Sequence, residues 1–176
     1  MTKKKAIRPF IMVSIAAILW TSSSPSSQRI DLSPKNWPQG ELQKYTIFNQ
    51  QYGQPKPLAE SSRAVVSGTS EALAVRAGLE ALKQGGSAAD AALTTSLAQI
   101  ALAAGSYVSY AGAMTVVYFE AATGKTYAMN ARFNTLLEEN DPLSIPVSGI
   151  PSGRTALVPG FMAGAQALHD RFGRLS

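Results

Sequence analysis

Arg132 is the residue whose type and position most suggest chemistry. It lies two residues beyond a predicted strand at 126–130, where the end of a sheet delivers side chains into a site. A guanidinium there can grip a carboxylate through two parallel hydrogen bonds, a geometry lysine cannot supply. An ordinary surface arginine is the competing reading. His169 is the single histidine, so no histidine-based metal cluster is expected. It falls near the C-terminal end of a predicted helix, where the helix dipole favours a solvated imidazole. Gly124-Lys125-Thr126 looks like the end of a phosphate-binding loop, but Phe119 stands where that loop needs its first glycine. The tripeptide reads as a turn. Gly149-Ile150-Pro151-Ser152-Gly153 is one residue out of step with a serine-hydrolase elbow, and Pro151 could not continue the strand that motif requires.

The elements that must position these residues are strongly patterned. Leu73, Val75, Leu79 and Leu82 form a helical apolar stripe, with Ala72, Ala74, Ala77 and Ala81 at close-packed positions. Thr69 or Ser70 can cap this helix, Glu71 and Lys83 suit its two ends electrostatically, and Gly85-Gly86 can stop it. Ser87 with Asp90 three residues on forms a capping-box pattern for a second helix over 88–103. That helix is nearly free of charge, which predicts cover on most sides. Residues 105–112 read as a small-residue loop, 114–120 and 126–130 as a hairpin with Gly124 in its turn, and 140–154 as a surface loop. Pro159-Gly160 opens a last helix over 161–172, stopped at Gly173. Val65-Val66 suggests a short strand before the first helix. Two helices, a hairpin and another helix make an α+β layered fold.

The 176 residues suffice for one domain with a core. The net charge of +5 invites a nucleic-acid reading, but Lys3, Lys4, Lys5 and Arg8 hold four of the 16 basic charges. The remainder, 12 basic against 11 acidic, carries no basic stripe, so no nucleic-acid partner is expected. Those four charges precede an apolar run at 9–20 and then serines, which marks residues 1–23 as a signal peptide or membrane anchor. Twelve apolar residues fall short of the roughly 20 that span a bilayer. Export of a chain without cysteine fits a bacterial periplasm, with membrane attachment only through an uncleaved N-terminal segment. Residues 24–60, rich in Ser, Pro and Gln with isolated Trp37, Tyr45, Phe48 and Tyr52, read as a linker that becomes an ordered lead-in.

From residue 61 onward the chain resembles the N-terminal portion of γ-glutamyltransferases. The residues that carry this are AVRAGLEALKQGGSAADAA at 74–92, VYFEAATGKTYA at 117–128 and VPGFMAGAQALHDRFGRL at 158–175, in the family's order. The resemblance implies part of an N-terminal-nucleophile hydrolase αββα sandwich, made as an exported precursor (a zymogen) that cleaves itself into two subunits. It implies a threonine nucleophile, activated by its own α-amine, acting on γ-glutamyl amides such as glutathione without metal or organic cofactor. It assigns Arg132 to the substrate's α-carboxylate.

Two departures put the substrate's identity in question. Phe133 stands where the family has an acidic residue. Ser109-Tyr110-Ala111-Gly112-Ala113 keeps one glycine of a Gly-rich run, and the added side chains reshape what that backbone can approach. No catalytic residue is assigned within the chain: it ends before the region of the family's self-cleavage threonine, and Thr94, Thr95, Thr115 and Thr135 read as helix, strand and loop residues. The polypeptide alone is therefore expected to be inactive, with a C-terminal small-subunit portion as its missing partner. The alternatives are a non-catalytic exported module that binds carboxylates through Arg132, and a degenerate fragment without a stable fold.

Overall fold

The computed structural model describes residues 30–50, 58–68, 71–145, 149 and 153–176. The expected signal segment at 1–23, the candidate caps Thr69 and Ser70, and residues 150–152 of the rejected elbow lie outside them. The elements are α1 (Glu41–Asn49), β1 (Leu58–Glu60), β2 (Val65–Ser67), α2 (Ala72–Lys83), α3 (Ala88–Ala103), β3 (Met114–Glu120), β4 (Lys125–Ala131) and α4 (Phe161–Phe172). Three single 3-10 turns, Pro34–Asn36, Pro142–Ser144 and Gly153–Thr155, complete the described set. The mixture of helices with two antiparallel pairs, β1–β2 and β3–β4, is the α+β class expected from the sequence.

Helix α2 is the hub of the N-terminal half. Its stripe meets α1, β1 and β2, and with Tyr45 and Ala59 it encloses Ala72, Val75 and Leu79. Complete burial of Val75 and Leu79 contributes about 1.5–3 kcal/mol each. Part of the stretch read as linker is thus structured: α1 turns Tyr45 into this core, and Trp37 is buried nearby. The anchor is Arg76, fully buried, whose Nε donates to Glu41 Oε2 at 2.5 Å and Nη1 to Glu80 Oε2 at 3.0 Å. Its guanidinium carbon sits 4.4 Å from the centroid of a Trp37 ring. Both carboxylates and the aromatic face replace part of the hydration of this buried guanidinium, while its Nη2 is buried without a hydrogen-bond partner among the described residues.

The opposite side of α2 packs on α3. A Cβ at Gly78 would lie 2.9 Å from the Ala91 carbonyl oxygen and closer still to Thr95 Oγ1, so only glycine permits this approach. The caps agree in part with the sequence. Ser87 and Asp90 form the full capping box of α3, and Gly85 takes the positive φ of +90° that ends α2. At the N-terminus of α2 the cap position belongs to Glu71 without a side-chain cap bond. Asn49 serves from α1 instead, its Oδ1 accepting from Leu73 N at 3.4 Å.

In the C-terminal half α4 lies on one face of the β3–β4 hairpin and against α3. Register pairs Met114 with Ala131, Val116 with Met129 and Tyr118 with Tyr127 on the covered face, where Phe172 stacks on Tyr118 with centroids 4.1 Å apart. The other face, built on the pairs Thr115–Asn130, Val117–Ala128 and Phe119–Thr126, is open, with Val117 77% and Phe119 62% exposed. The even cover expected for α3 does not hold. Its first two turns are buried between α2 and α4, but Leu97 and Leu102 on the later turns are 37% and 43% exposed. Leu97 lines an open groove with Met162 and Ala165 of α4, which covers it only in part.

Candidate functional site

The site is built where β4 ends. The strand runs one residue further than the sequence pattern suggests, to Ala131, so Arg132 is the first residue beyond it. The chain then stays extended, because Asn134 and Val158 exchange backbone hydrogen bonds of 2.9 and 2.8 Å. That exchange brings the segment before α4 alongside the exit of β4. A Cβ at Gly160 would stand 2.6 Å from the Ala131 carbonyl oxygen and closer to that of Arg132. Gly160 is therefore required for α4 to start this close to Arg132. The next residue ties in the third wall: Phe161 N donates to the Gly112 carbonyl at 3.0 Å, fastening the 105–113 loop to α4.

Arg132 is exposed, and among the described residues no carboxylate lies within ion-pair distance of it. Arg63 and Arg174 are likewise exposed without a carboxylate within ion-pair distance among the described residues, whereas three other arginines are engaged. Arg76 is buried between two glutamates, Arg154 makes a two-pronged pair with Glu139 at 2.7 and 2.9 Å, and Arg171 lies 4.5 Å from the Tyr127 ring centre. The Arg154 pair holds the Glu139 carboxyl below the usual carboxylate range and pins the surface loop that joins β4 to α4.

Beside the β4 exit lies a cavity of about 560 Å³ between the later turns of α3, the 105–113 loop, Phe133 and Phe161. Phe133 lines it, as do Ser109, Ala111 and Ala113, whereas Arg132 does not. Phe133 and the altered 109–113 run, Tyr110 excepted, thus line the same cavity. The loop is moored at its base by Tyr107, whose hydroxyl donates to Glu71 Oε1 at 2.6 Å. The other oxygen of Glu71 accepts from Asn49 Nδ2 at 2.5 Å. Nothing in the one-dimensional pattern of Glu71 or Tyr107 signals this tie across 36 residues.

The remaining candidates fall elsewhere. Gly124, at φ +67°, sits in the hairpin turn, which agrees with the turn reading of Gly124-Lys125-Thr126. Thr95 Oγ1 donates to the Ala91 carbonyl at 2.8 Å within α3, and Thr115 is a strand residue. His169 is only half solvated. Its Nε2 lies 2.8 Å from the Leu175 carbonyl, so it fastens the segment after α4. The same segment is held by Asp90 Oδ2, which accepts from Arg174 N at 2.9 Å while closing the capping box with Ser87 N at 2.7 Å. Burial alone would raise the Asp90 carboxyl. The backbone hydrogen bonds of Ser87 and Arg174, the Ser87 hydroxyl and the Leu175 backbone outweigh it and hold the group below its usual range. Among the described residues no group of three or more potential metal ligands comes together.

Comparison with known proteins gives the chain's family. A family model described as gamma-glutamyltranspeptidase matches residues 74–176, which includes α2, α3, the hairpin, Arg132 and α4. No curated protein matches the chain. Similar solved structures include the gamma-glutamyltranspeptidase of Pseudomonas nitroreducens complexed with L-DON, at 22% identity and TM-score 0.48, over 70% of this chain and 36% of that one. The transpeptidase CapD of Bacillus anthracis gives 26% identity and TM-score 0.43, over 70% and 34% of the two chains. The Helicobacter pylori gamma-glutamyltranspeptidase gives 26% identity and TM-score 0.46, over 70% and 35%. The chain spans about a third of the length of these structures. With more than half of its residues matched by the family model, the chain belongs to the gamma-glutamyltranspeptidase family.

Proposed function

We propose that these residues form the N-terminal part of an enzyme that transfers or hydrolyses γ-glutamyl groups, with Arg132 holding the substrate's α-carboxylate. The observation that carries this reading is an exposed guanidinium at the end of β4, inside the family match and without a carboxylate partner among the described residues. In the reaction a threonine hydroxyl, supplied by sequence outside these 176 residues, attacks the amide carbonyl. Its α-amine takes the hydroxyl proton and passes a proton to the departing amine, leaving an acyl-enzyme ester. Water or a second amine then takes the acyl group and frees the threonine. No step needs a metal or an organic cofactor. The role of this chain is to fix the carboxylate, so that the amide carbonyl stands at the nucleophile. The basic and apolar N-terminal segment supports export to a bacterial periplasm, or anchorage on the outer face of the membrane.

The open β3–β4 face bears on the alternatives. An independent carboxylate-binding module would not leave Val117 and Phe119 side by side with Ala128 in solvent, since an apolar face of this kind marks an interface or an aggregation site. The face therefore supports further polypeptide over it, of the kind a small-subunit portion of an αββα sandwich would supply. The test is turnover of a chromogenic γ-glutamyl anilide by the complete gene product. Activity is expected, and Arg132→Ala is expected to raise KM by about 10- to 150-fold, the loss of a charge-assisted carboxylate pair. An active enzyme whose KM is indifferent to Arg132→Ala would overturn the assignment of this residue. An inactive complete product would overturn the reaction itself.

A further inference from the structure

The cavity beside Phe133 points to a second binding site, separate from the Arg132 carboxylate site and independent of the acyl-transfer reading. We infer that it takes a small uncharged ligand with a planar apolar body and an amide-like hydrogen-bonding group. Three observations carry this. The first is size: about 560 Å³ lies within the roughly 300–1,000 Å³ typical of small-molecule pockets. The second is charge. None of the lining residues is ionisable at neutral pH, so a bound cation would find no carboxylate and a bound anion no lysine or arginine. Moving an ion out of water without a partner is strongly unfavourable, which restricts the ligand to a neutral one. The third is the pairing of surfaces. Phe133 and Phe161 offer aromatic faces, Ser109 brings a hydroxyl and Gln99 a carboxamide, and Ser96, whose hydroxyl donates to the Ala92 carbonyl at 2.8 Å, can still accept a hydrogen bond.

The walls are also firmly placed. The Phe161 N–H bond to Gly112 joins α4 to the loop, and the Asn134–Val158 exchange holds the extended segment that carries Phe133. Tyr107 ties the loop to Glu71 at the head of α2. A cavity whose walls are cross-braced from three directions needs little ordering when a ligand enters, which favours binding. Arg132 and Phe133 are consecutive, yet only Phe133 reaches the cavity. The two sites are therefore neighbours along the backbone with opposite chemical preferences.

The experiment compares benzamide, benzoate and benzylammonium as matched probes of similar shape and three charges, by 1H–15N correlation NMR titration of the full chain. Benzamide is expected to bind and to shift the backbone amide signals of Ser106, Ser109, Ala111 and Phe133, while both ions bind at least tenfold more weakly. Phe133→Asp, which places a charge on the wall, and Ser109→Trp, which fills the space from an exposed loop position, should each weaken benzamide at least tenfold. Arg132→Ala should leave benzamide binding within twofold, so this result and the Arg132 reading can fail separately. Equal binding of the three probes would overturn the proposal. So would absence of benzamide binding, or amide shifts confined to other parts of the chain.

Discussion

The two halves of the molecule close their cores differently. Around α2 the core is shut: Val75, Leu79, Ala72 and Ala59 are at most 1% exposed, and α1 with the β1–β2 pair completes the enclosure. Around the β3–β4 hairpin the core has a floor and no ceiling. Ala89, Leu93, Ala165 and Leu168 are buried, but the strand residues packed on them, Met114, Val116, Tyr118 and Met129, are only partly covered. The difference teaches where stability and function reside. The shut half is held by its own side chains, while the open half carries Arg132, the cavity and the exposed apolar face of Val117 and Phe119. Under the proposed function, the group that holds the substrate lies where packing is incomplete.

The sharpest way to break the shut half is to remove its buried cation. Arg76→Ala would strand Glu80, itself nearly buried, and loosen Glu41 and Trp37 from α2. Glu41 is partly solvated, so the expected loss is near the lower end for a broken buried pair, about 3 kcal/mol, read from chemical denaturation of the chain. An unchanged midpoint would show that the lead-in contributes nothing to this core.

Next in size is Gly160→Ala, which forces a methyl against the carbonyls of Ala131 and Arg132. Relief requires α4 or the β4 exit to move, at about 1–3 kcal/mol. In the complete enzyme KM should rise along with the loss of stability, because the displaced backbone carries Arg132. Loss of stability with KM untouched would separate the α4 junction from the carboxylate site.

Asp90 joins the halves, since it caps α3 and holds the segment after α4. Asp90→Ala is expected to cost about 1–2 kcal/mol in a denaturation experiment. Its pH dependence has a definite sign. The folded-state pKa lies below the unfolded value, so the stabilisation is full above about pH 4 and fades as pH falls through the folded value. The variant should therefore have a flatter stability profile than the parent below about pH 4, and parallel profiles would remove Asp90 from this role.

The smallest folding effect belongs to the open face. Val117→Thr together with Phe119→Thr should change unfolding free energy by no more than about 0.5 kcal/mol per site, since both side chains are largely in solvent. Light scattering of the 176-residue chain should nevertheless fall, and a stability loss of several kcal/mol would mean that the face is covered within the chain.

Much of the frame was legible in the residues, for reasons that can be named. The stripe of α2, the Ser87–Asp90 box, the alternation of MTVVYFE and the turn glycine Gly124 each act within a few positions of themselves. Helix α1 was not legible, because Leu42, Tyr45, Ile47 and Phe48 do not fall on one stripe and its N-cap is Gly40, with no side-chain bond. A cation in a helix suggests solvent, so Arg76 gave no hint of burial until Glu41, 35 residues away, was seen beside it. The place of Arg132 just after a strand could be read from the pattern, while its role as a carboxylate ligand came from the family resemblance and remains the proposal. The approach of Gly160 and the cavity behind Phe133 depend on how α4 returns to the hairpin, which no local spacing encodes.

The most direct test of the central claim pairs a change in the enzyme with a change in the substrate. In the complete gene product, kcat/KM is measured for a γ-glutamyl anilide and for the same compound with its α-carboxylate converted to a carboxamide, in the parent and in Arg132→Ala. If Arg132 holds that carboxylate, the variant loses about 10- to 150-fold on the carboxylate substrate and little on the carboxamide, so the two changes are strongly non-additive. Equal losses on both substrates would contradict the account, because Arg132 would then act on something other than the carboxylate.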